Sequence, residues 1–283
     1  MKSLVIGSTS VIGKALASGL SCLGPVKTAG RRDADFFLDL SQPDNAAPIT
    51  EGFDVVVLAA ADFGGNSVED LIRAEQVNVL GTLAACRMAQ QCGAQHLIVL
   101  SSVFASHTPA DHHYSIYSLS KRHAEEVASL FCKQHGLALT LLRPSQVYDA
   151  AGACRTHQPL LYVMADNAQA GRDITLFGNN DARRNYLHLD DLVQICTRVA
   201  QATVTGLFNC VHPSSPRLSE IAHAAVSAFG QQAEVRFLRD KPDVPDLPHQ
   251  PVDVAFYEAI DFTPRVDIRR GFNLIRHYRE GTA

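Results

Sequence analysis

No apolar run in the sequence approaches the ~20 residues that span a bilayer. Its seven Cys include no C-x-x-C pair, and its twelve His fall at no metal-ligand spacing. It also lacks a positive excess, with 25 Lys plus Arg against 29 Asp plus Glu and a formal charge of −4. These absences count against a membrane-spanning chain, a disulfide scaffold, a metal site and a nucleic-acid or membrane-surface partner. An odd number of thiols without pairing reads as reduced, mostly buried cysteine in a cytoplasmic protein. Only six residues precede the first glycine turn, so no secretory signal is expected.

What is present begins at the N-terminus. Leu4-Val5-Ile6 is a short apolar run that leads into Gly7, Ser8, Thr9, Ser10, Val11, Ile12 and Gly13, and Lys14 to Leu23 follows with amphipathic spacing. A strand, a glycine turn and a helix in that order form a pyrophosphate cradle, with Gly7 for the tight turn and Gly13 for close helix packing. The middle glycine of such a motif is here Ser10, whose hydroxyl is small enough to sit beside phosphates and able to donate to one. Tyr117 and Lys121 stand four apart in a helical segment, so both project from one face. A free phenol titrates near pH 10, and an ammonium beside it favours the phenolate, which suits Tyr117 to proton transfer on a substrate oxygen. A third hydroxyl is needed to orient that oxygen, and Ser101 and Ser102 close the apolar run 96–100.

Apolar runs at 3–7, 25–29, 54–61, 96–100 and 137–142 alternate with helical patterns near 12–23, 66–92 and 115–135. That alternation predicts an α/β fold with a doubly wound parallel sheet, and ligands beyond the carboxyl ends of its strands. Gly7, Arg31, Ala60, Ser102 and Gln146 all follow strands and are expected at one crevice. Composition shifts near residue 148. A dinucleotide-binding domain is expected over 1–148, completed by about 185–212, with 149–184 and 213–283 forming a smaller subdomain. Four Pro in 241–251 predict a loop there.

With these pieces in order, the chain resembles an extended short-chain dehydrogenase/reductase, the group of nucleotide-sugar epimerases, dehydratases and 4-keto reductases. The resemblance is carried by GSTSVIG (7–13), LDL (38–40), DVVVLAAA (54–61), VNVLGT (77–82), VLSSV (99–103), YSLSK (117–121), LLRPSQVY (141–148) and RRNYLHLDD (183–191). It implies a Rossmann fold and a catalytic set of Ser102, Tyr117 and Lys121, with Ser101 as the other possible hydroxyl. It further implies cofactor contacts from residues 7–13, Asp39, Leu40, Ala59, Ala60, Ala61 and Asn78. Asp39 reads equally as a turn carboxylate, and Asn78 as a helix-backbone partner. Arg184 matches an arginine that grips a nucleotide diphosphate, and Gln146 falls where relatives place an Asn near the sugar or phosphates.

Where NAD-specific relatives carry an acidic residue, this chain has Arg31 and Arg32, which suit the 2′-phosphate of NADP(H); Asp33 and Asp35 keep NAD(H) open. Dehydratases place an acid pair after the catalytic hydroxyl, whereas Val103, Phe104 and Ala105 stand here. The expectation is an NADP(H)-dependent keto-sugar reductase, with a nucleotide-sugar epimerase or a non-catalytic cofactor-binding regulator as alternatives. A homodimer through the Tyr117 helix and residues 66–92 is the family habit.

Overall fold

A computed structural model describes residues 1–43, 49–247 and 250–281. Their strands are β1 (Ser3–Ile6), β2 (Val26–Gly30), β3 (Phe36–Phe37), β4 (Val55–Leu58), β5 (His96–Leu100), β6 (Ala138–Pro144), β7 (Gln146–Tyr148), β8 (Ile174–Phe177), β9 (Tyr186–His188), β10 (Gly206–Cys210) and β11 (Val235–Leu238). The α-helices are α1 (Val11–Leu20), α2 (Val68–Glu75), α3 (Gly81–Gln91), α4 (Ile116–His135), α5 (Pro159–Gln169), α6 (Leu189–Ala202), α7 (Leu218–Phe229), α8 (Val254–Ala259) and α9 (Ile268–Arg279).

The chain divides into two compact units. The first comprises Met1–Pro144, Val193–Cys210 and Asp253–Phe262. The second comprises Ser145–Leu192, Val211–Val252 and Thr263–Ala283. The first unit holds a seven-stranded, all-parallel sheet in the order β10-β6-β5-β4-β1-β2-β3. Strands β1, β4 and β5 are buried along their whole length, as strands covered on both faces must be, which is why they read as unbroken apolar runs. Successive side chains alternate between faces. Leu4, Ile6, Val56, Leu58, Leu97 and Val99 pack with Ala85, Cys86, Ala89, Ala128 and Cys132 of α3 and α4. On the other face α1 meets α6 so closely that a Cβ on Gly19 would lie 2.2 Å from Val193. This is the doubly wound fold expected from the sequence.

Local chemistry sets the helix ends. Ser67 and Asp70 form a capping box at the start of α2, and Gly136 ends α4 in the left-handed region. The helical pattern expected over 66–92 is interrupted by a π-helical turn, Gln76–Leu80, between α2 and α3. In the second unit β7 pairs with β9 and β8 with β11, while α5, α7 and α9 pack together. A Cβ on Gly271 of α9 would strike the Tyr148 hydroxyl, so α9 needs glycine where it crosses β7. Residues 241–247 form neither helix nor strand, as the prolines require, and Pro248 and His249 lie outside the described residues. No helix among the described residues is long and apolar enough to cross a membrane.

Candidate active site

Strands β1, β2, β4 and β5 run parallel, so the residues that follow them share one edge of the sheet in the first unit. Gly7 has φ +108°, and a Cβ there would come within 2.9 Å of the Ala60 nitrogen. Gly13 is tighter still, because its Cβ would lie 2.1 Å from the Gly7 carbonyl oxygen. Ser10 explains its place in the motif. Its hydroxyl donates to the Gly7 carbonyl and accepts the Gly13 N–H, both at 2.9 Å, so it is the N-cap of α1. Its own hydrogen bonds are therefore internal, contrary to the sequence expectation that it could serve a phosphate. Helix geometry leaves the Val11 and Ile12 amides outside the intrahelical pattern. A glycine cradle and free helix amides are the donor set a pyrophosphate requires, so these residues fit a dinucleotide.

At the end of β2, Arg31 and Arg32 are exposed. Asp35 is already engaged: it accepts from Lys27 Nζ and the Thr28 amide, both at 2.8 Å, and from Thr28 Oγ1 at 3.0 Å. Asp33 is exposed in a left-handed turn, φ +47°. Asp39 accepts the Ser41 hydroxyl at 2.7 Å and the Ser41 amide at 2.9 Å. Those bonds, led by the hydroxyl and helped by the Arg31 charge, hold its carboxyl below the usual range, which is the behaviour of a turn carboxylate. Leu40 is buried against Gly81, and Ala59, Ala60 and Ala61 continue from β4, with the Ala59 amide bonded to the Ile6 carbonyl.

The Ser, Tyr and Lys expected from the sequence are brought together. Ser102, two residues beyond β5, is extended and caps the short turn Val103–Ser106, its hydroxyl accepting the Phe104 amide at 3.2 Å. Its side chain is also the one that acts on the Tyr117 phenol. Tyr117 opens α4 under Phe63, whose ring stacks on it at 4.8 Å and 17°, and Phe104 meets it edge-on at 6.4 Å. Lys121 is 4% exposed and donates to the Leu100 carbonyl at 2.6 Å. Ser101 points elsewhere, donating to Glu125. Asn78, buried in the π-helical turn, accepts the Asp62 amide and donates to the Asp62 carbonyl, both at 2.8 Å. The same side-chain amide donates to Ser120 Oγ at 2.9 Å, so Asn78 fastens the β4 loop to the helix of Tyr117 and Lys121.

One sequence expectation is reversed. Lys121 was expected to lower the Tyr117 pKa, yet burial pushes that phenol up to about 12, with Ser102 pulling the other way. Burial likewise lowers Lys121 to about 8 against the upward pull of Glu125. Desolvation wins because each charged form gives up water in a packed interior.

Gln146 and Arg184 belong to the second unit. Gln146 donates from Nε2 to Gln158 at 2.9 Å, and its buried Oε1 has no partner among the described residues. Arg184 is 7% exposed, donates to the Arg183 carbonyl at 2.7 Å, and is held below its usual pKa by burial. On α9, Arg276 bonds the Ala228 carbonyl and Arg279 pairs with Asp166, both within the second unit. Phe63, Glu125 and Arg143 have places in this site that sequence reading overlooked. Glu125 carried a usable signal, being four residues beyond Lys121 on one helix face.

A family model, the NAD dependent epimerase/dehydratase family, matches residues 3–210. The chain belongs to that family. Membership makes it an NAD(P)-dependent enzyme. Among relatives, a putative UDP-glucose 4-epimerase of Methanocaldococcus jannaschii is 22% identical over 78% of this chain and 75% of its own length. A dTDP-4-dehydro-6-deoxy-D-allose reductase of Streptomyces bikiniensis is 26% identical over 53% of this chain, which matches 46% of that enzyme. Among solved structures, the UDP-glucose 4-epimerase of Thermotoga maritima with UDP-glucose superposes with TM-score 0.77 at 19% identity, over the full length of both chains. RMD of Pseudomonas aeruginosa with NADPH gives 0.76 at 17% identity, over 99% of this chain and 100% of that one. Both solved structures share the fold described above.

Proposed function

We propose that the chain is an NADP(H)-dependent reductase of a keto sugar, a nucleoside-diphosphate 4-keto-6-deoxyhexose. The observation that carries the chemistry is Tyr117 in the first turn of α4, with Lys121 buried one turn along the same helix and Ser102, just beyond a parallel strand, acting on the phenol. Ser102 and Tyr117 orient the sugar carbonyl by hydrogen bonds to its oxygen. The nicotinamide, when bound, supplies the hydride that the carbonyl carbon accepts. Tyr117 gives its phenolic proton to the oxygen as it becomes a hydroxyl. A phenol near 12 stays protonated at neutral pH, yet it is a stronger acid than an alcohol, so the transfer runs downhill. The Lys121 charge stabilises the phenolate left behind.

Ser102 is favoured over Ser101 because Ser101 spends its hydroxyl on Glu125. Elimination of water needs a further acid and base, and Val103, Phe104 and Ala105 after Ser102 supply neither. Residues 7–13 and the exposed Arg31 and Arg32 would hold NADP(H). The engagement of Asp35 by Lys27 and Thr28 supports that choice, since it removes one ribose-reading carboxylate. Buried Arg184 in the second unit suits a diphosphate, and the Streptomyces reductase supplies the substrate class. NAD-dependent 4-epimerisation is the second reading, favoured by the Methanocaldococcus relative over 78% of this chain. Calorimetric titration of cofactor-stripped protein with NADPH and NADH tests the choice. The reductase reading expects a tenfold or larger preference for NADPH that disappears in Arg31→Ala, and a preference for NADH overturns it.

A further inference from the structure

Glu125 is a buried carboxylate, 4% exposed, that the proton transfer described above does not use. It lies one turn from Lys121 and two from Tyr117 along α4. Groups from two strands converge on it. Ser101 at the end of β5 donates its hydroxyl to Oε1. Arg143 of β6 donates Nε to Oε1 at 2.8 Å and Nη2 to Oε2 at 2.5 Å. Two bonds to backbone carbonyls reinforce the junction: the Ser101 amide donates to Leu142 at 2.7 Å, and Lys121 Nζ donates to Leu100 at 2.6 Å. A single carboxylate thus joins the strand that carries Ser102, the helix that carries Tyr117 and Lys121, and their neighbour β6.

A buried ion pair can be purely structural, and apolar residues often replace one without loss. Two features separate this one from that case. The carboxylate takes Ser101 in addition to Arg143, which leaves Ser102 as the hydroxyl of the pair that is not spent on it. It is also the carboxylate that acts on the Lys121 ammonium. Two other polar groups of α4 have partners away from Glu125: His123 hydrogen-bonds Glu75 of α2, and Arg122 donates to the His107 carbonyl.

We propose that Glu125 is a positioning residue of the active site: it locks Ser101 so that Ser102 faces Tyr117, and it keeps a negative charge one turn from Lys121. The proposal rests on the reading that Ser102, Tyr117 and Lys121 do the chemistry. Its electrostatic part has a definite sign. Removing the Glu125 charge leaves Lys121 with burial alone, and leaves Arg143 as an unbalanced neighbouring cation, so the lysine must titrate lower.

The test follows the full chain labelled with 13C-lysine by NMR over pH 6–11, with Lys121→Met assigning one resonance among six lysines. In Glu125→Gln the Lys121 midpoint should fall by about one pH unit or more, as loss of an adjacent opposite charge requires. In Glu125→Asp it should return toward the wild-type value. Turnover should drop on the order of 10²-fold in Glu125→Gln, as small misplacements in active sites do, with the KM for cofactor little changed, and recover substantially in Glu125→Asp. Should Glu125→Gln fail to fold, Glu125→Gln with Arg143→Met removes both buried charges together and still gives the lowered lysine midpoint. An unchanged Lys121 titration in a folded variant overturns the proposal, whether or not turnover falls. Because the lysine titration needs no turnover, it is independent of the reductase reading, which fails instead if Tyr117→Phe keeps full activity.

Discussion

The glycine turn at residues 7–13 and the corner around Tyr117 lie on the same edge of one sheet, yet they are built on opposite plans. The turn is local and made of backbone: Ser10 bonds Gly7 and Gly13, each three residues away, and the absence of side chains on the glycines does the rest. The corner is made of side chains that meet across long separations, 18 residues for Glu125 with Arg143 and 42 for Asn78 with Ser120. A local plan tolerates no added atom. A non-local one is sensitive to each partner's charge and reach.

Four measurements can break or sharpen that contrast. The largest effect is expected from Tyr117→Phe, which removes one oxygen from the corner and leaves the turn intact. Turnover should fall about 10²–10⁴-fold, as loss of a general acid does, while calorimetry finds cofactor affinity almost unchanged. Next comes Arg31→Ala, beyond both regions, which should weaken NADPH roughly ten- to a hundredfold by the loss of a charged hydrogen bond, and NADH hardly at all.

Gly13→Ala attacks the turn alone. Its methyl would lie 2.1 Å from the Gly7 oxygen and 2.8 Å from Ser10 Oγ, so the backbone must move. Overpacking of this kind costs ~1–3 kcal/mol, a fall of several degrees in Tm by calorimetry. An unchanged Tm would show the turn to be more pliant than its geometry implies. The smallest effect concerns pH. Burial lowers Lys121 to about 8, so its charged form persists below that pH and is lost as pH rises through it. If that charge supports catalysis, kcat/KM should fall roughly tenfold between pH 7 and 9, and a flat profile to pH 10 would remove Lys121 from the rate.

How legible each region was in the sequence follows from the same difference. The sheet could be read because parallel strands covered on both faces must be continuous apolar runs, as Val55–Leu58 and His96–Leu100 are nearly throughout. The spacing of Tyr117 and Lys121 was equally plain, being a helical repeat. The pKa of Tyr117 was not legible, because its sign depends on how deeply Phe63 and the surrounding fold bury the phenol. Nor could the sequence show that Ser101 would be taken by Glu125, or Asp35 by Lys27, since those are outcomes of packing. The return of residues 253–262 to the first unit was also missed. Forty-two residues separate it from Cys210, and what anchors it is tertiary: Phe256 stacks on Phe208 at 4.3 Å, and Arg198 of α6 reaches Asp261 and the Phe262 ring.

The most direct test of the central claim is the stoichiometry of cofactor use. Purified protein is incubated with NADPH and a nucleoside-diphosphate 4-keto-6-deoxyhexose, and NADPH oxidation is followed beside sugar product. A reductase gives one NADPH oxidised per sugar reduced in the wild type, with the signal lost in Tyr117→Phe. Conversion of a sugar nucleotide to its epimer with no net loss of NADPH, on protein that carries bound NAD, would contradict it.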